Sequence, residues 1–224
     1  YPGVLGTGVA KLPGGISAGR TGLTESAARE AGMDVETVIC VVDDKAHNYP
    51  GAGNFIIKAV ADKETRKLLG IQVIGSGAVD KVTDIAVTGI SLGATVDQLA
   101  VMDFAYAPPF STAIHPFAHA MNILINKLEG GLDSVTPKAF LQGEAEDYRI
   151  IDCGMQPTLE GKQFVDFTKV RGDVEGLGKD EKLLLVCTKG KRAYLTQNRL
   201  KAYGYTNTKV LEGGVTFNEV EEAQ

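Results

Sequence analysis

The sequence predicts an α+β unit with an antiparallel sheet, followed by a small α/β unit with a parallel sheet. In the first half, segments rich in valine and isoleucine (36–44 and 54–75) predict strands, and helical patterns surround them. In the second half, strand, turn, helix and strand patterns follow one another, as in a parallel α/β unit. Residues 129–140 combine glycines, a proline and small polar residues, which is typical of a linker. We therefore expect domains at residues 1–134 and 135–224.

The elements of the first unit follow from local signals in chain order. A threonine at position 24 precedes a short helical pattern that stops at Gly32, so it predicts a capped helix. Segment 36–44 predicts a strand, and segment 54–75 predicts a hairpin with its turn at 62–67. Apolar residues at helical spacing predict two further helices, which end at glycines: 79–93 and 115–131.

The second unit has fewer elements. Segments 148–154 and 182–187 are short and apolar, and the second is apolar on consecutive positions, as strands buried on both faces are. A helix is predicted at 192–204, where Gly204 ends it, and a third strand at 208–214.

Composition excludes several classes of function. The chain has 224 residues and a net charge of −5, which disfavours nucleic acid as a partner because phosphate binding needs a basic face. No run of 18 apolar residues is present, so no membrane span is predicted, and the N-terminus shows no secretory signal. The three cysteines are too few and too scattered for a disulfide framework or a metal site. We expect a cytoplasmic protein without a bound metal.

Cys187 is the candidate nucleophile. It follows a buried strand and precedes a helix, and in open parallel sheets the sites lie at this edge. Gly190 allows a tight turn in which successive backbone N–H groups converge and, with the helix dipole, stabilise a thiolate or a bound oxyanion. Lys189, Lys191 and Arg192 act in the same direction.

The surrounding charge supports the same interpretation. Seven basic residues and no acidic residue lie between Lys182 and Leu211, although the whole chain is acidic. Two plainer interpretations stay open at this point: a cysteine that ends a strand is often an inert core residue, and a basic helix is often a solvated face.

From Lys138 onward, the chain resembles a rhodanese domain. The resemblance is carried by the loop "CTKGKR", the helix that follows it, its "L-x-x-x-G-Y" ending and the strand "V-L-E-G-G". It implies that Cys187 holds a sulfane sulfur as a persulfide and passes it to a thiol or another acceptor. It also implies that Thr188, Lys189, Gly190, Lys191 and Arg192 surround the persulfide or the donor's oxyanion.

The second unit departs from the rhodanese pattern in two places. The usual Asp-x-Arg after the first strand is "DCG" here, so Gly154 stands where the arginine would be. The usual His-Ile-Pro-Gly-Ala segment is absent, and "LEGKQFVDF" stands near its place. Cys153 ends the neighbouring strand, and two roles are open for it: a structural core residue, which we favour, or a resolving thiol for Cys187.

The first unit resembles the C-terminal dimerisation domain of FAD-dependent pyridine nucleotide–disulfide oxidoreductases, in the group of coenzyme A disulfide reductases, NADH oxidases and polysulfide reductases. The segments "AGRTGLTESAAREAG", "HNYPGAGNFIIKAVADKETRKLLGIQVIG" and "DFAYAPPFSTAIHP" carry the resemblance. It implies a homodimer through residues 1–132, in which Tyr49, Tyr106 and His115 reach the reductase site of the partner subunit. A helix-capping role for His115 is equally open.

No G-x-G-x-x-G follows a predicted strand, so we expect this chain to bind neither FAD nor NAD(P)H by itself. The two resemblances together imply the C-terminal portion of a reductase–rhodanese fusion, whose full length uses FAD and NAD(P)H, with coenzyme A as a further candidate. The predicted function is sulfurtransferase chemistry at Cys187, with small sulfur donors and thiol acceptors as partners. The alternative is a dimerisation and sulfur-carrier or regulatory module without turnover of its own.

Overall fold

The computed structural model describes residues 3–220 and divides the chain into two compact units between Leu128 and Glu129. The sequence analysis placed this boundary later, between residues 134 and 135. The earlier division has a structural reason, because the segment after Leu128 already bonds to the second unit. The backbone carbonyl of Asp133 accepts hydrogen bonds from the Val210 amide, at 2.9 Å, and from the Gln197 side chain, at 2.8 Å.

The first unit is a five-stranded antiparallel sheet with the strand order β1-β2-β5-β4-β3. Its strands are β1 (Gly8–Lys11), β2 (Ser17–Gly22), β3 (Val35–Asp43), β4 (Asn54–Asp62) and β5 (Leu68–Gly75). Its helices are α1 (Glu25–Glu30), α2 (Val79–Ser91), α3 (Val96–Ala100) and α4 (Pro116–Leu128), and one 3-10 turn covers Pro13–Gly15.

Helices α2 and α4 pack on the sheet and bury its core. Ile57 of β4, Ile71 of β5 and Phe117, Met121 and Leu124 of α4 are at most 1% exposed. Burying each of these large side chains stabilises the unit by roughly 1.5 to 3 kcal/mol. The expected α+β arrangement is confirmed, and the predicted hairpin forms with its turn at 62–67.

The second unit is a five-stranded parallel sheet with the strand order β6-β10-β9-β7-β8. Its strands are β6 (Ser134–Val135), β7 (Arg149–Asp152), β8 (Gln163–Phe164), β9 (Leu183–Val186) and β10 (Thr208–Leu211). Its helices are α5 (Pro137–Leu141), α6 (Lys191–Ala202) and α7 (Gly214–Phe217), and a 3-10 turn covers Phe167–Lys169. The parallel sheet expected from the sequence is confirmed.

The central strand β9 determines where the candidate nucleophile lies. All four of its residues are fully buried, which matches their consecutive apolar character. Helix α6 follows β9, and β10 then returns beside β9 in parallel, so the β9–α6 connection opens at the carboxyl edge of the sheet.

No helix within residues 3–220 is long and apolar enough to cross a membrane. In the same part of the chain, no cluster of three or more histidine, cysteine or acidic side chains could hold a metal ion.

Candidate functional site

The Cys187 sulfur lies inside a turn of backbone amides at the carboxyl end of β9. The amides of Gly190 and Ala193 both donate hydrogen bonds to Sγ, at 3.2 and 3.5 Å. Gly190 is the N-cap of α6 and has a φ of +94°, a conformation that glycine adopts without steric cost. The loop therefore directs two N–H dipoles and the N-terminus of a twelve-residue helix toward one sulfur atom, which favours negative charge there.

The carbonyl groups of the same loop are held by the segment after β10. The amide of Val215 donates to the Cys187 carbonyl at 3.1 Å, and the amide and hydroxyl of Thr216 donate to the Thr188 carbonyl. Gly214 has to be glycine for this contact, because an added Cβ would collide with the Cys187 and Thr188 carbonyl oxygens. With its carbonyls bonded in this way, the loop can present its amides to the sulfur.

The sulfur is not widely open to solvent, since Cys187 is only 4% exposed. Around it, Thr188 and Lys191 are exposed, Lys189 and Arg192 are half-buried, and Gly190 is buried. The six residues that the sequence analysis grouped as one loop therefore do lie together. They surround a sulfur that a donor can reach only with a narrow group.

The positive charge around the loop is more limited than the sequence suggested. Of the seven basic residues between Lys182 and Leu211, Lys182 forms an ion pair with Asp147, and Lys209 forms one with Glu144 at 3.1 Å. The guanidinium of Arg192 lies over the Phe167 ring, with its carbon 5.7 Å from the ring centroid. Part of the predicted positive field is thus neutralised by acidic residues distant in the sequence.

Cys153 lies beside Cys187 on the adjacent strand. Asp152 pairs with Val186 in the parallel register, and the Cys153 amide donates to the Val186 carbonyl at 2.7 Å. Cys153 is 1% exposed, and its burial raises the pKa of its thiol to about 12. A thiol that stays protonated near neutrality is a poor nucleophile, so the structure favours the structural role for Cys153.

Asp152 explains how the fold tolerates Gly154 where an arginine was expected. Its carboxylate is completely buried and accepts hydrogen bonds from the amides of Gly154, Thr158 and Leu159 and from the Thr158 hydroxyl. Backbone amides of the following loop thus supply the partners that a buried carboxylate requires. The motif "DCG" contains one of these partners, Gly154, but gave no indication of the other two, Thr158 and Leu159.

The candidate residues of the first unit differ in their exposure. Tyr49 is 38% exposed and Tyr106 is 53% exposed, whereas His115 is buried. The loop before Tyr49 and the loop after Tyr106 meet at a cavity of about 110 Å³, which Asp44, Phe110 and His115 help to line. Two of the three residues therefore remain available to a partner, while His115 lies inside the fold.

His115 acts as a cap in this fold, because its Nδ1 accepts a hydrogen bond from the Phe117 amide at 3.2 Å. Burial and, to a smaller extent, the nearby Lys81 lower its pKa to about 4. The imidazole is therefore neutral near neutral pH, as its use as an acceptor requires.

A pH dependence of stability follows from His115. The histidine of the unfolded chain titrates near 6.5, so between pH 6.5 and about 4 the unfolded state binds more protons than the folded state. The stability present above pH 6.5 should fall as the pH drops through this window, by at most about 3 kcal/mol at about 1.36 kcal/mol per pKa unit. Urea unfolding of His115→Asn, which keeps a capping acceptor, should show a correspondingly smaller loss between these pH values. An equal loss in both proteins would contradict the assignment.

Two family models match the chain. Residues 15–118 match the pyridine nucleotide-disulphide oxidoreductase dimerisation domain, and residues 136–216 match the rhodanese-like domain. These are the two resemblances expected from the sequence, in the expected order.

Known proteins resemble the chain over different lengths. A CoA-dependent NAD(P)H sulfur oxidoreductase from Pyrococcus furiosus is 38% identical over 124 residues, which are 55% of this chain and 28% of that protein. The structure of an NAD-dependent persulfide reductase from A. fulgidus matches 96% of this chain and 39% of its own, with 32% identity and a TM-score of 0.86. Reduced Bacillus anthracis CoADR-RHD matches 96% of this chain and 39% of its own, with 28% identity and a TM-score of 0.85. The chain thus spans well under half the length of these relatives.

Proposed function

Because the chain joins a pyridine nucleotide-disulphide oxidoreductase dimerisation domain to a rhodanese-like domain, we propose that Cys187 carries sulfane sulfur as a persulfide and transfers it to a thiol. The observation that carries this proposal is the pair of amide hydrogen bonds to Sγ, from Gly190 and Ala193. Such donors stabilise the Cys187 thiolate, both when it attacks the donor and when it is released as the sulfur is passed on.

The proposed step is a transfer of one sulfur atom. The Cys187 thiolate attacks the terminal sulfur of a donor, the new S–S bond forms as the donor's own bond to that sulfur breaks, and the donor leaves as sulfite or as a thiolate. An acceptor thiolate then attacks the outer sulfur of the persulfide and releases the Cys187 thiolate. The two steps consume no external oxidant or reductant. An anionic donor approaches the sulfur past four residues of the loop: Thr188, Lys189, Lys191 and Arg192.

The small exposed fraction of Cys187 restricts the donors. A sulfur atom at the end of a chain, as in thiosulfate, polysulfide or an alkyl persulfide, is narrow enough to reach it. A bulky disulfide, whose sulfur carries a carbon group on each side, is expected to react slowly.

The dimerisation-domain match indicates a homodimer. Within it, we propose that the exposed Tyr49 and Tyr106 reach toward the reductase site of the partner subunit, whereas the buried His115 caps α4. By analogy with the relatives, whose names include NAD(P)H and coenzyme A, a full-length protein would use NAD(P)H, with coenzyme A as a further candidate. We also propose FAD as its flavin, because the dimerisation-domain family implies it, and the cytoplasm as its location. The flavin and nicotinamide would be held by parts of the protein outside this chain.

The second candidate is a carrier without turnover. The burial of Cys187 favours this carrier function, because a buried persulfide would react slowly with free thiols and would persist until a dedicated reductase accepts its sulfur.

Multiple-turnover kinetics with thiosulfate or polysulfide as donor and cyanide as acceptor distinguish the two functions. We expect thiocyanate to accumulate well beyond one equivalent per chain. A single equivalent that does not increase with time would support the carrier, and no thiocyanate at all would refute both.

A further inference from the structure

Residues 159–167, which stand where the His-Ile-Pro-Gly-Ala motif was expected, are fixed by burial and hydrogen bonds. Val165, and Val170 just after the segment, are buried, and the Val165 amide donates to the Asp152 carbonyl at 2.8 Å. Between them, Asp166 caps the 3-10 turn by accepting a hydrogen bond from the Thr168 amide at 2.9 Å. Phe167, the first residue of this turn, is therefore held in a defined position.

Phe167 orders two arginines of α6. The guanidinium carbons of Arg192 and Arg199 each lie 5.7 Å from the centroid of its ring. Both distances fall within the range of a cation–π interaction, which restrains the two long side chains. The arginines are seven residues apart, which places them on the same face of the helix.

The guanidinium groups of Arg192 and Arg199 form no direct ion pair within the described part of the chain. Among residues 3–220, no carboxylate lies within salt-bridge distance of Arg192 or Arg199, in contrast to Lys182 and Lys209. The positive charge of Arg192 makes a minor contribution to lowering the pKa of the Asp166 carboxyl. Two half-buried guanidinium groups thus keep hydrogen-bond donors available for an anionic ligand.

The position of the two arginines relative to the sulfur determines what they could recognise. Arg192 immediately precedes Ala193, whose amide bonds to Cys187 Sγ, so it lies at the opening of the loop. Arg199 is two helical turns further, roughly 10 Å along the axis at 1.5 Å per residue. A compact donor at the sulfur would meet Arg192 alone, whereas an extended donor could reach both.

We propose that Arg192, Arg199 and Phe167 form a binding surface for extended anionic persulfides. The ligand class is a thiol persulfide that carries a carboxylate or phosphate group at the end remote from its terminal sulfur. In this arrangement Arg199 binds the distant anionic group, and Phe167 positions both arginines. The transfer itself is the proposed one: the Cys187 thiolate takes the outer sulfur, and the remaining thiolate leaves. The transfer step depends on the proposed function, whereas the binding of the ligand does not.

The binding test uses S-methylglutathione, an unreactive tripeptide thioether with two carboxylates, as the probe. Titration of the whole chain, followed by NMR or calorimetry, should show saturable binding that weakens about three- to tenfold in Arg199→Gln. Lys201→Gln removes the same charge from the same helix and should bind like the wild type. Equal affinities for the two variants, or no binding by the wild type, would overturn the proposal.

The transfer test compares two donors on the same proteins. With glutathione persulfide, the rate constant for sulfur loading should fall about three- to tenfold in Arg199→Gln, while loading from thiosulfate should not change. Phe167→Leu should weaken loading from both donors, because Arg192 loses its support, and Phe167→Tyr should restore it. If Arg199→Gln lowered the rate constant for sulfur loading equally with both donors, the proposal would be overturned. If Cys187 loads from neither donor but S-methylglutathione still binds through Arg199, the proposed function fails and the binding surface remains.

Discussion

Replacement of Cys187 by alanine is expected to abolish thiocyanate formation after treatment with thiosulfate or polysulfide. The Cys187 sulfur is the atom that would receive the donated sulfur. In the proposed step, the amides of Gly190 and Ala193 act only on this sulfur. Once the excess donor has been removed, cyanide should release about one equivalent from the wild type and only the background amount from the variant. Cys187→Ser should behave in the same way, since its hydroxyl can still accept the amide hydrogen bonds but is a much weaker nucleophile.

Cys153→Ala is the matched control for this loss. Its thiol is buried and stays protonated near neutrality, so its removal should leave the thiocyanate yield close to that of the wild type. Continued release of thiocyanate by Cys187→Ala, or loss of release in Cys153→Ala with an intact fold, would contradict the assignment of the nucleophile.

Replacement of Asp152 by alanine is expected to have the largest effect on stability. The variant would leave the amides of Gly154, Thr158 and Leu159 without their acceptor, and the first of these residues is buried. With a cost of about 1 to 3 kcal/mol for an unsatisfied buried group, and less for the two amides that water can reach, we expect a loss of about 2 to 4 kcal/mol. Urea unfolding monitored by fluorescence or circular dichroism should show the transition of the second unit at a clearly lower midpoint.

Asp173→Ala serves as the control for Asp152. Its side chain is 80% exposed and pairs with Lys179 at the surface, so the midpoint should hardly change. Asp152→Asn should fall between the two, because its amide oxygen can accept some of the hydrogen bonds. A midpoint for Asp152→Ala equal to that of Asp173→Ala would show that the carboxylate does not hold the loop.

Local sequence signals predicted the elements that are long or strongly patterned. Strand β9 is apolar at every position, and α4 and α6 show clear helical spacing, so their type followed from the sequence. By contrast, β6 and β8 contain two residues each, and β2 includes two glycines among its six residues. Such segments become strands because of the neighbour with which they pair, and this information is not local.

The candidate site was predictable to a similar extent. The place of Cys187 between strand and helix, and the turn at Gly190, were readable from adjacent residues. The closure of the loop near Gly214 depends on tertiary hydrogen bonds from Val215 and Thr216. The support of Asp152 depends on the path of the irregular loop that follows it, which no local pattern predicts. The direction of Arg192 likewise depends on Phe167, which comes from a segment that the sequence analysis noted only as a departure from a motif.

Peptide mass spectrometry of the wild-type chain after exposure to polysulfide tests the central claim most directly. After alkylation and digestion, the account predicts one added sulfur atom on the peptide that contains Cys187, lost again on treatment with cyanide. Added sulfur confined to the peptides of Cys40 or Cys153, or none on any cysteine, would contradict it.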